Sequence, residues 1–419
     1  MKDNIQLYRV LEKRLPPSDK RSLVLLTGAR QTGKTTLSKS RYSNLRYLNL
    51  DAPENREVVR GISSSLWARD IGAAVIDEAQ KEPVVFEKVK FAFDDGTLSF
   101  SILLGSSQIL LLKKIRETLA GRVSIYELWP LMMCEILNDS ATPPRKDPLV
   151  DGLFTAMNCD DIFGDQPGRL LDDDNALRLR AQDALLQWGG MPALTALSEN
   201  DRRQWLKDYE YTYLERDVAD LARLDDLLPF RKFQRLAALR SGCLSNYTEL
   251  ARDAAVSVDT ARRYLEYLRI SYQTILLPPY HSNLTSTVIK TPKIYWLDVG
   301  LLRYLSGMQE AAVGSIYESM VVSELLKWMK TLGREGDLYF YRTRSGLEVD
   351  VLLESPAGVV GMEIKSRKTL AAKDTTGLKE IASVIGKRWR GGMVIYAGNE
   401  IRRMASPQIW AVPSHRLFT

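Results

Sequence analysis

The chain has 419 residues, 45% hydrophobic and 26% charged, with a net charge of +6. That length exceeds one ordinary core, so two or three domains are expected, and the balance excludes a disordered or fibrous protein. No apolar run reaches the roughly 18 residues a bilayer crossing needs, and the charged opening MKDNIQLYRVLEKRL lacks the apolar segment of a secretory leader, so a cytoplasmic location is expected.

From about residue 20 to 135, short apolar runs (SLVLLTG, LRYLNLD, AAVIDE, SFSILLGS, VSIYELWP) alternate with helical patterns. Such alternation predicts an α/β fold, a parallel sheet with helices on both faces. Residues 136–175 turn irregular and rich in Asp, Pro and Gly, which reads as a boundary or surface loop. The pattern is then mainly helical to about residue 305, and strands return from about 312 (LYFYRT, EVDVLLES, GVVGMEIKS, GGMVIYAG and a run around Gln408–Trp410). That last part reads as a second, smaller α/β unit. The division expected is 1–135, 136–235 as a helical lid or connector, 236–305, and 306–419.

Cys134, Cys159 and Cys243 are too widely spaced to imply a disulfide framework or a zinc cluster. With only His281 and His415, a histidine-built metal centre or a Ser-His-Asp triad is also disfavoured. Any metal should therefore be a hard cation held by oxygens. The modest positive charge permits a polyanionic partner without requiring one.

The first chemical signal is LLTGARQTGKTTLSKS, whose Gly28-Ala29-Arg30-Gln31-Thr32-Gly33-Lys34-Thr35 fits G-x-x-x-x-G-K-[ST] between a strand and a helix. Backbone N–H groups of such a loop point at phosphates, and its glycines allow close approach. Gly28 through Thr36 are therefore the candidate ATP-binding residues, with Lys34 reaching the β- and γ-phosphates and the Thr35 hydroxyl a ligand for Mg²⁺. AAVIDEAQ ends a β-rich run in Asp77, a second candidate Mg²⁺ ligand, and Glu78, positioned to polarise the attacking water. The strand-like run LRYLNLD between the two motifs suits a sheet in which the Asp77 strand is not the immediate neighbour of the first. Ser106, Ser107 and Gln108 leave the next strand, where Ser107 can sense the γ-phosphate. Arg122, or Arg30 inside the loop, is a candidate for stabilising transition-state charge, Arg122 across a subunit boundary.

Together, GARQTGKTTL, IDEAQKEP and LLGSSQILLLKKIRETLAGRV resemble the AAA-type ATPases of bacteria and archaea. They look like one prokaryotic family that joins such a core to a C-terminal domain of unknown function related to the PD-(D/E)XK nuclease fold. The resemblance continues through GGMPAL, YLERDVADL and PKIYWLDVGLLRYL. It implies ATP and Mg²⁺ as cofactors, and a homo-oligomer in which a ring is plausible.

In the middle segment, NYTELARDAA and VDTARRYLEYLRI, the latter capped by Ser257 or Asp259, form a helix-turn-helix pattern, with QTILLPPYHSN to KIYWLD as a wing. Arg262, Arg263 and Arg269 line its second helix, where they can reach DNA or simply form a solvated face. In the tail, Asp350 lies thirteen residues before Glu363-x-Lys365, whose two side chains share one strand face. A hairpin would bring Asp350 close, and Glu318 on the helix YESMVVSELLKW can add a third carboxylate. Two carboxylates can hold Mg²⁺ while a lysine lowers the pKa of its water. That set resembles the PD-(D/E)XK site with every position filled, although alternating charge on an exposed strand produces the same letters. Arg342, Arg344, Arg367 and Lys368 add a basic cluster suited to a phosphate backbone. The leading expectation is an AAA-type ATPase acting on DNA as a motor or remodelling enzyme. A nucleotide switch that recruits a protein partner and an ATP-regulated nuclease are the alternatives.

Overall fold

The computed structural model describes residues 7–105, 119, 121–138, 146–170, 173–213, 227–280, 291–308, 314–343 and 346–419. Ser106, Ser107, Gln108, His281 and Arg344 lie outside them.

Five apolar runs become five parallel strands: β1 (Ser22–Thr27), β2 (Arg46–Asn49), β3 (Ala74–Asp77), β4 (Phe100–Leu104) and β5 (Val123–Glu127). Their order is β2-β3-β4-β1-β5, so β4 separates the Asp77 strand from the strand that leads into the glycine loop. Period-2 alternation divides the sheet's side chains between two cores. Leu23, Leu25, Ile76 and Leu103 pack on one face; Val24, Leu26, Val75, Ile102 and Leu104 pack on the other. Burial on both faces explains why β1, β3 and β4 read as continuous apolar runs, while the edge strands β2 and β5 are partly exposed. Helices α1 (Lys34–Arg41), α2 (Pro53–Gly61) and α3 (Val84–Asp94) form the crossovers.

The middle of the chain contributes α4 (Asp173–Trp188), α5 (Glu199–Tyr213), α6 (Leu228–Leu239), α7 (Tyr247–Ala254) and α8 (Val258–Ile270). They are followed by the antiparallel pair β6 (Thr274–Leu277) and β7 (Lys293–Trp296), and by α9 (Val299–Ser306). Ser257 caps α8, its hydroxyl accepting from the Thr260 N–H at 3.1 Å. Two glycine-bearing stretches interlock here. The Gly190 N–H donates to Asp298 at 2.7 Å, and a Cβ added at Gly189 would sit 2.2 Å from the same carboxylate.

The last unit opens with α10 (Gly314–Leu332), continues through β8 (Asp337–Arg342), β9 (Glu348–Ser355), β10 (Gly358–Lys365), α11 (Thr376–Ile385) and β11 (Trp389–Tyr396), and ends with β12 (Arg402–Ala405) and β13 (Ile409–Pro413). These strands form a mixed sheet in the order β12-β13-β11-β10-β9-β8. One face packs on α11 through Val349, Leu352, Leu378 and Ile381. The other packs on α10, which is buried on nearly every side, its apolar residues lying in the largest core and Glu324 and Lys327 paired within it. Truncating a buried α10 side chain such as Leu325 therefore costs about 2–5 kcal/mol.

The irregular stretch expected as a boundary or surface loop is partly interior. Val150, Leu153, Cys159, Ile162 and Phe163 are buried in the same core as α10. Asp151 accepts hydrogen bonds from Trp328 and Arg334. Its Pro and Gly content shapes the turns, while these five apolar residues between them point inward and Met157 stays exposed.

Candidate functional site

The glycine loop follows β1, and its backbone leaves no space for alternatives. Gly28 has φ +142°, and a Cβ there would lie 2.1 Å from the Leu128 carbonyl. Gly33, also at positive φ, precedes α1, whose first residue is Lys34. The Lys34 ammonium is buried and donates to the Gly28 and Ala29 carbonyls at 3.0 and 2.7 Å, folding over the loop. The Thr32 hydroxyl donates back to the Ala29 carbonyl at 2.9 Å. Arg9 braces the loop from outside, donating to the carbonyls of Thr32 at 2.7 Å and Trp129 at 2.6 Å. Beside the loop runs a cleft lined by Leu7, Arg9, Gly33, Leu37, Leu131 and Pro192.

Asp77 meets this loop across β4. Its carboxylate accepts from the Thr35 hydroxyl at 2.6 Å and from the Tyr47 hydroxyl at 2.8 Å. Burial, then the hydrogen bond to Asp77, pushes the Tyr47 hydroxyl pKa up, so Tyr47 stays a donor. Glu78 is held in the left-handed region, φ 53° and ψ 41°, a backbone state that costs about 1–3 kcal/mol and clusters at functional sites. Its carboxylate accepts from the Gln80 amide at 2.5 Å. The Thr35 hydroxyl and Asp77 carboxylate form an all-oxygen pair, which fits a hard divalent cation.

A second polar cluster lies between β7 and the C-terminal sheet. Glu363 follows directly on the Met362–Val351 pairing of β10 with β9, so it lies across from Asp350. The Lys365 ammonium is 2.8 Å from Glu363 and 3.7 Å from Asp350. Glu318 on α10 comes in from the other side, accepting from the Tyr295 hydroxyl at 2.5 Å. Burial, then the Asp350 charge, raises the pKa of Glu363 to about 8, and the same two causes raise that of Glu318. The sequence offered no reason to place Lys293 here. Its ammonium lies 2.6 Å from Glu348, 3.5 Å from Glu318 and 3.9 Å from Asp350. Burial works against the Lys293 charge, but Glu318, Asp350 and Glu348 outweigh it and hold the pKa above the usual lysine range. Among the described residues, no group of three or more Asp, Glu, His or Cys side chains is arranged to hold a metal. The four tail residues thus come together, but around lysines.

Three stretches of the chain match known family models. Residues 20–137 match the family model described as AAA domain. The N-terminal unit is a P-loop ATPase domain of the AAA type. Residues 179–312 match a domain of unknown function (DUF8612), and residues 313–417 another (DUF4143). Uncharacterized proteins of Mycobacterium bovis and Mycobacterium tuberculosis are each 28% identical over 407 residues, covering 95% of this chain and 81% of theirs. Among solved structures, a Walker-type ATPase of Pyrococcus abyssi superposes with TM-score 0.43 at 15% identity, over 70% of this chain and 94% of that one. A Signal Transduction ATPase with Numerous Domains protein of Pyrococcus horikoshii gives TM-score 0.27 at 10% identity, over 78% and 46%. Both superpositions are loose. No helix among the described residues is long and apolar enough to cross a membrane.

Within the ATPase domain, Arg122 does not approach the glycine loop. It precedes β5, where Val123 pairs with Leu23 at the amino end of β1, about 13 Å of strand away from the loop at the carboxyl end. It pairs with Asp94 at 2.6 Å on the surface. That placement sets Arg122 apart from this chain's own glycine loop, and its ion pair with Asp94 fits a structural salt bridge. A further residue that no sequence signal marked is Tyr272, just past α8, with φ 61°. Its hydroxyl reaches the ATPase sheet, 3.0 Å from Glu127 and 3.4 Å from Thr27, the residue before Gly28.

The candidate polyanion contacts stay on the surface. Arg262, Arg263 and Arg269 are exposed on α8, with Arg262 over the Tyr247 ring and Arg269 paired to Glu266. Arg342 pairs with Glu348 at 3.6 Å, Arg367 pairs with Asp374, and Lys368 is exposed.

Proposed function

We propose that this chain is a Mg²⁺-dependent ATP hydrolase that uses turnover to act on DNA. The observation that carries the reading is the Thr35–Asp77 contact at 2.6 Å beside a buried Lys34. Lys34, Thr35, Asp77 and Glu78 lie together at one end of the sheet, which supports reading them as a phosphate-binding ammonium, two oxygen ligands and a base. Thr35 and Asp77 would hold Mg²⁺, which supplies charge neutralisation on the β- and γ-phosphates. Lys34 leaves its two loop carbonyls and bonds phosphate oxygens instead. The loop amides from Ala29 to Thr36 orient the triphosphate, and Glu78 takes the proton of the attacking water.

Tyr272 supports transmission of that cycle. It ties the strand ends of β1 and β5 to the end of α8, the helix that carries Arg262, Arg263 and Arg269. We read α7, α8 and the β6–β7 pair as a winged helix that lays α8 on DNA, with Arg367 and Lys368 as further phosphate contacts. We also infer a homo-oligomer in which Arg122 serves a neighbouring subunit's nucleotide. The test is the ATPase rate with single-stranded, duplex and branched DNA. Stimulation by at least one form, lost in Glu78→Gln, is expected. A rate indifferent to every nucleic acid, with no DNA retention at low salt, would move the reading to a nucleotide switch that recruits a protein.

A further inference from the structure

Four carboxylates converge between β7, α10, β9 and β10, and the cation among them belongs to the chain itself. Lys293 enters from the middle segment with its side chain 4% exposed, and its ammonium lies within 4 Å of Glu348, Glu318 and Asp350. The Phe340 ring lies 5.5 Å from that ammonium. Tyr295, two residues on along β7 and therefore on the same strand face, donates to Glu318 at 2.5 Å. Lys365 closes the opposite side against Glu363 and Asp350. Oxygens arranged in this way fit an ammonium, and none of the described acidic groups forms a metal cage.

We infer that Lys293 takes the place of a divalent cation in this centre, which makes the C-terminal unit a non-cutting one whose carboxylates form a charge-locked joint with the wing strand. A metal ion entering this centre would meet a buried ammonium already paired with Glu348, Glu318 and Asp350, so it would have to displace that charge before any hydrolysis could begin. Removing the lysine takes the cation from Glu318 and leaves Glu348 and Asp350 to Arg342 and Lys365 alone, so the joint and not a reaction is what fails. The inference rests on this cluster alone and is independent of ATP turnover at the glycine loop.

Two measurements on the full chain test it. Nucleotide-free wild type is titrated with Mn²⁺ and followed by electron paramagnetic resonance, alongside Asp350→Asn and Glu363→Gln, and each is incubated with plasmid and branched DNA in Mn²⁺. No stoichiometric uptake dependent on those two residues and no cutting are expected. One Mn²⁺ per chain lost in either variant, or cutting lost in Glu363→Gln, would overturn the inference. The second measurement is a thermal cycle of Lys293→Met, Glu348→Gln and the double variant. Lys293→Met should lower Tm by several degrees, and the double variant should recover part of that loss. An unchanged Tm, or strictly additive losses, would contradict the joint. The wild-type Mn²⁺ arm stands even if Lys293→Met does not fold.

Discussion

Lys34, Thr35, Asp77 and Glu78 differ in how they are held, and the difference sets what each substitution should do. Lys34 and Thr35 stand in the first turn of α1, while Asp77 ends a buried strand. Glu78 alone sits on strained backbone, so Glu78→Gln keeps the geometry and removes only the base. A change at Tyr272 should separate turnover from its use. Tyr272→Phe deletes the hydroxyl that donates to Glu127, a carboxylate whose pKa burial already raises. Leaving that group without its donor costs about 1–3 kcal/mol of stability. Basal ATP hydrolysis should persist while stimulation by DNA falls at least tenfold, as read from steady-state rates with and without DNA. Equal loss of both would show that Tyr272 serves the nucleotide site and not transmission.

At the level of elements, α8 makes the sharpest claim. Ala261, Leu265 and Leu268 bury one stripe against α6 and α7, leaving Arg262, Arg263 and Arg269 on the outer face. Replacing Arg262 and Arg263 together by Ala should weaken DNA binding uniformly across sequences, with the slope of log K against log salt falling by about 2. An unchanged slope in a filter-binding titration would remove α8 from the interface. The elements also show what a sequence carries. The glycine loop and its strand were legible because all their chemistry is local, and β1, β3 and β4 because two-faced burial leaves unbroken apolar stretches. Asp77 was legible because β-rich runs end visibly. Tyr47, Arg9, Tyr272 and Lys293 were not, because each reaches its partner across the fold and no spacing marks it. Lys293 reads as one more strand residue in KIYWLD. Likewise, the stretch from Val150 to Phe163 has turn residues that signal a loop, whereas its apolar positions follow an irregular path that no period reveals.

On the scale of the whole molecule, the tail is tied back onto the middle segment. Ser414 links Tyr317 of α10 to Gln182 of α4, and His415, fully buried, meets Asn175 at 3.1 Å. Burial, with Arg416 and Arg178 nearby, lowers the His415 pKa from 6.5 to about 4. The unfolded chain therefore binds this proton first, and stability falls as pH drops from about 6.5, with the loss complete below about 4. The shift amounts to about 3 kcal/mol at most. His415→Gln should flatten this part of a urea-midpoint profile; an identical profile would mean that the site is not closed to water. The ATPase domain, the helical middle and the C-terminal sheet thus form one set of linked units, with Tyr272, Lys293 and the tail as the joints.

Turnover at the glycine loop is the property from which the other roles follow. ATP hydrolysis in Mg²⁺ should be measurable for wild type, fall by at least a hundredfold in Lys34→Ala, and be lost in Glu78→Gln while nucleotide binding is kept. Turnover that survives Lys34→Ala in folded protein would contradict that role of the loop.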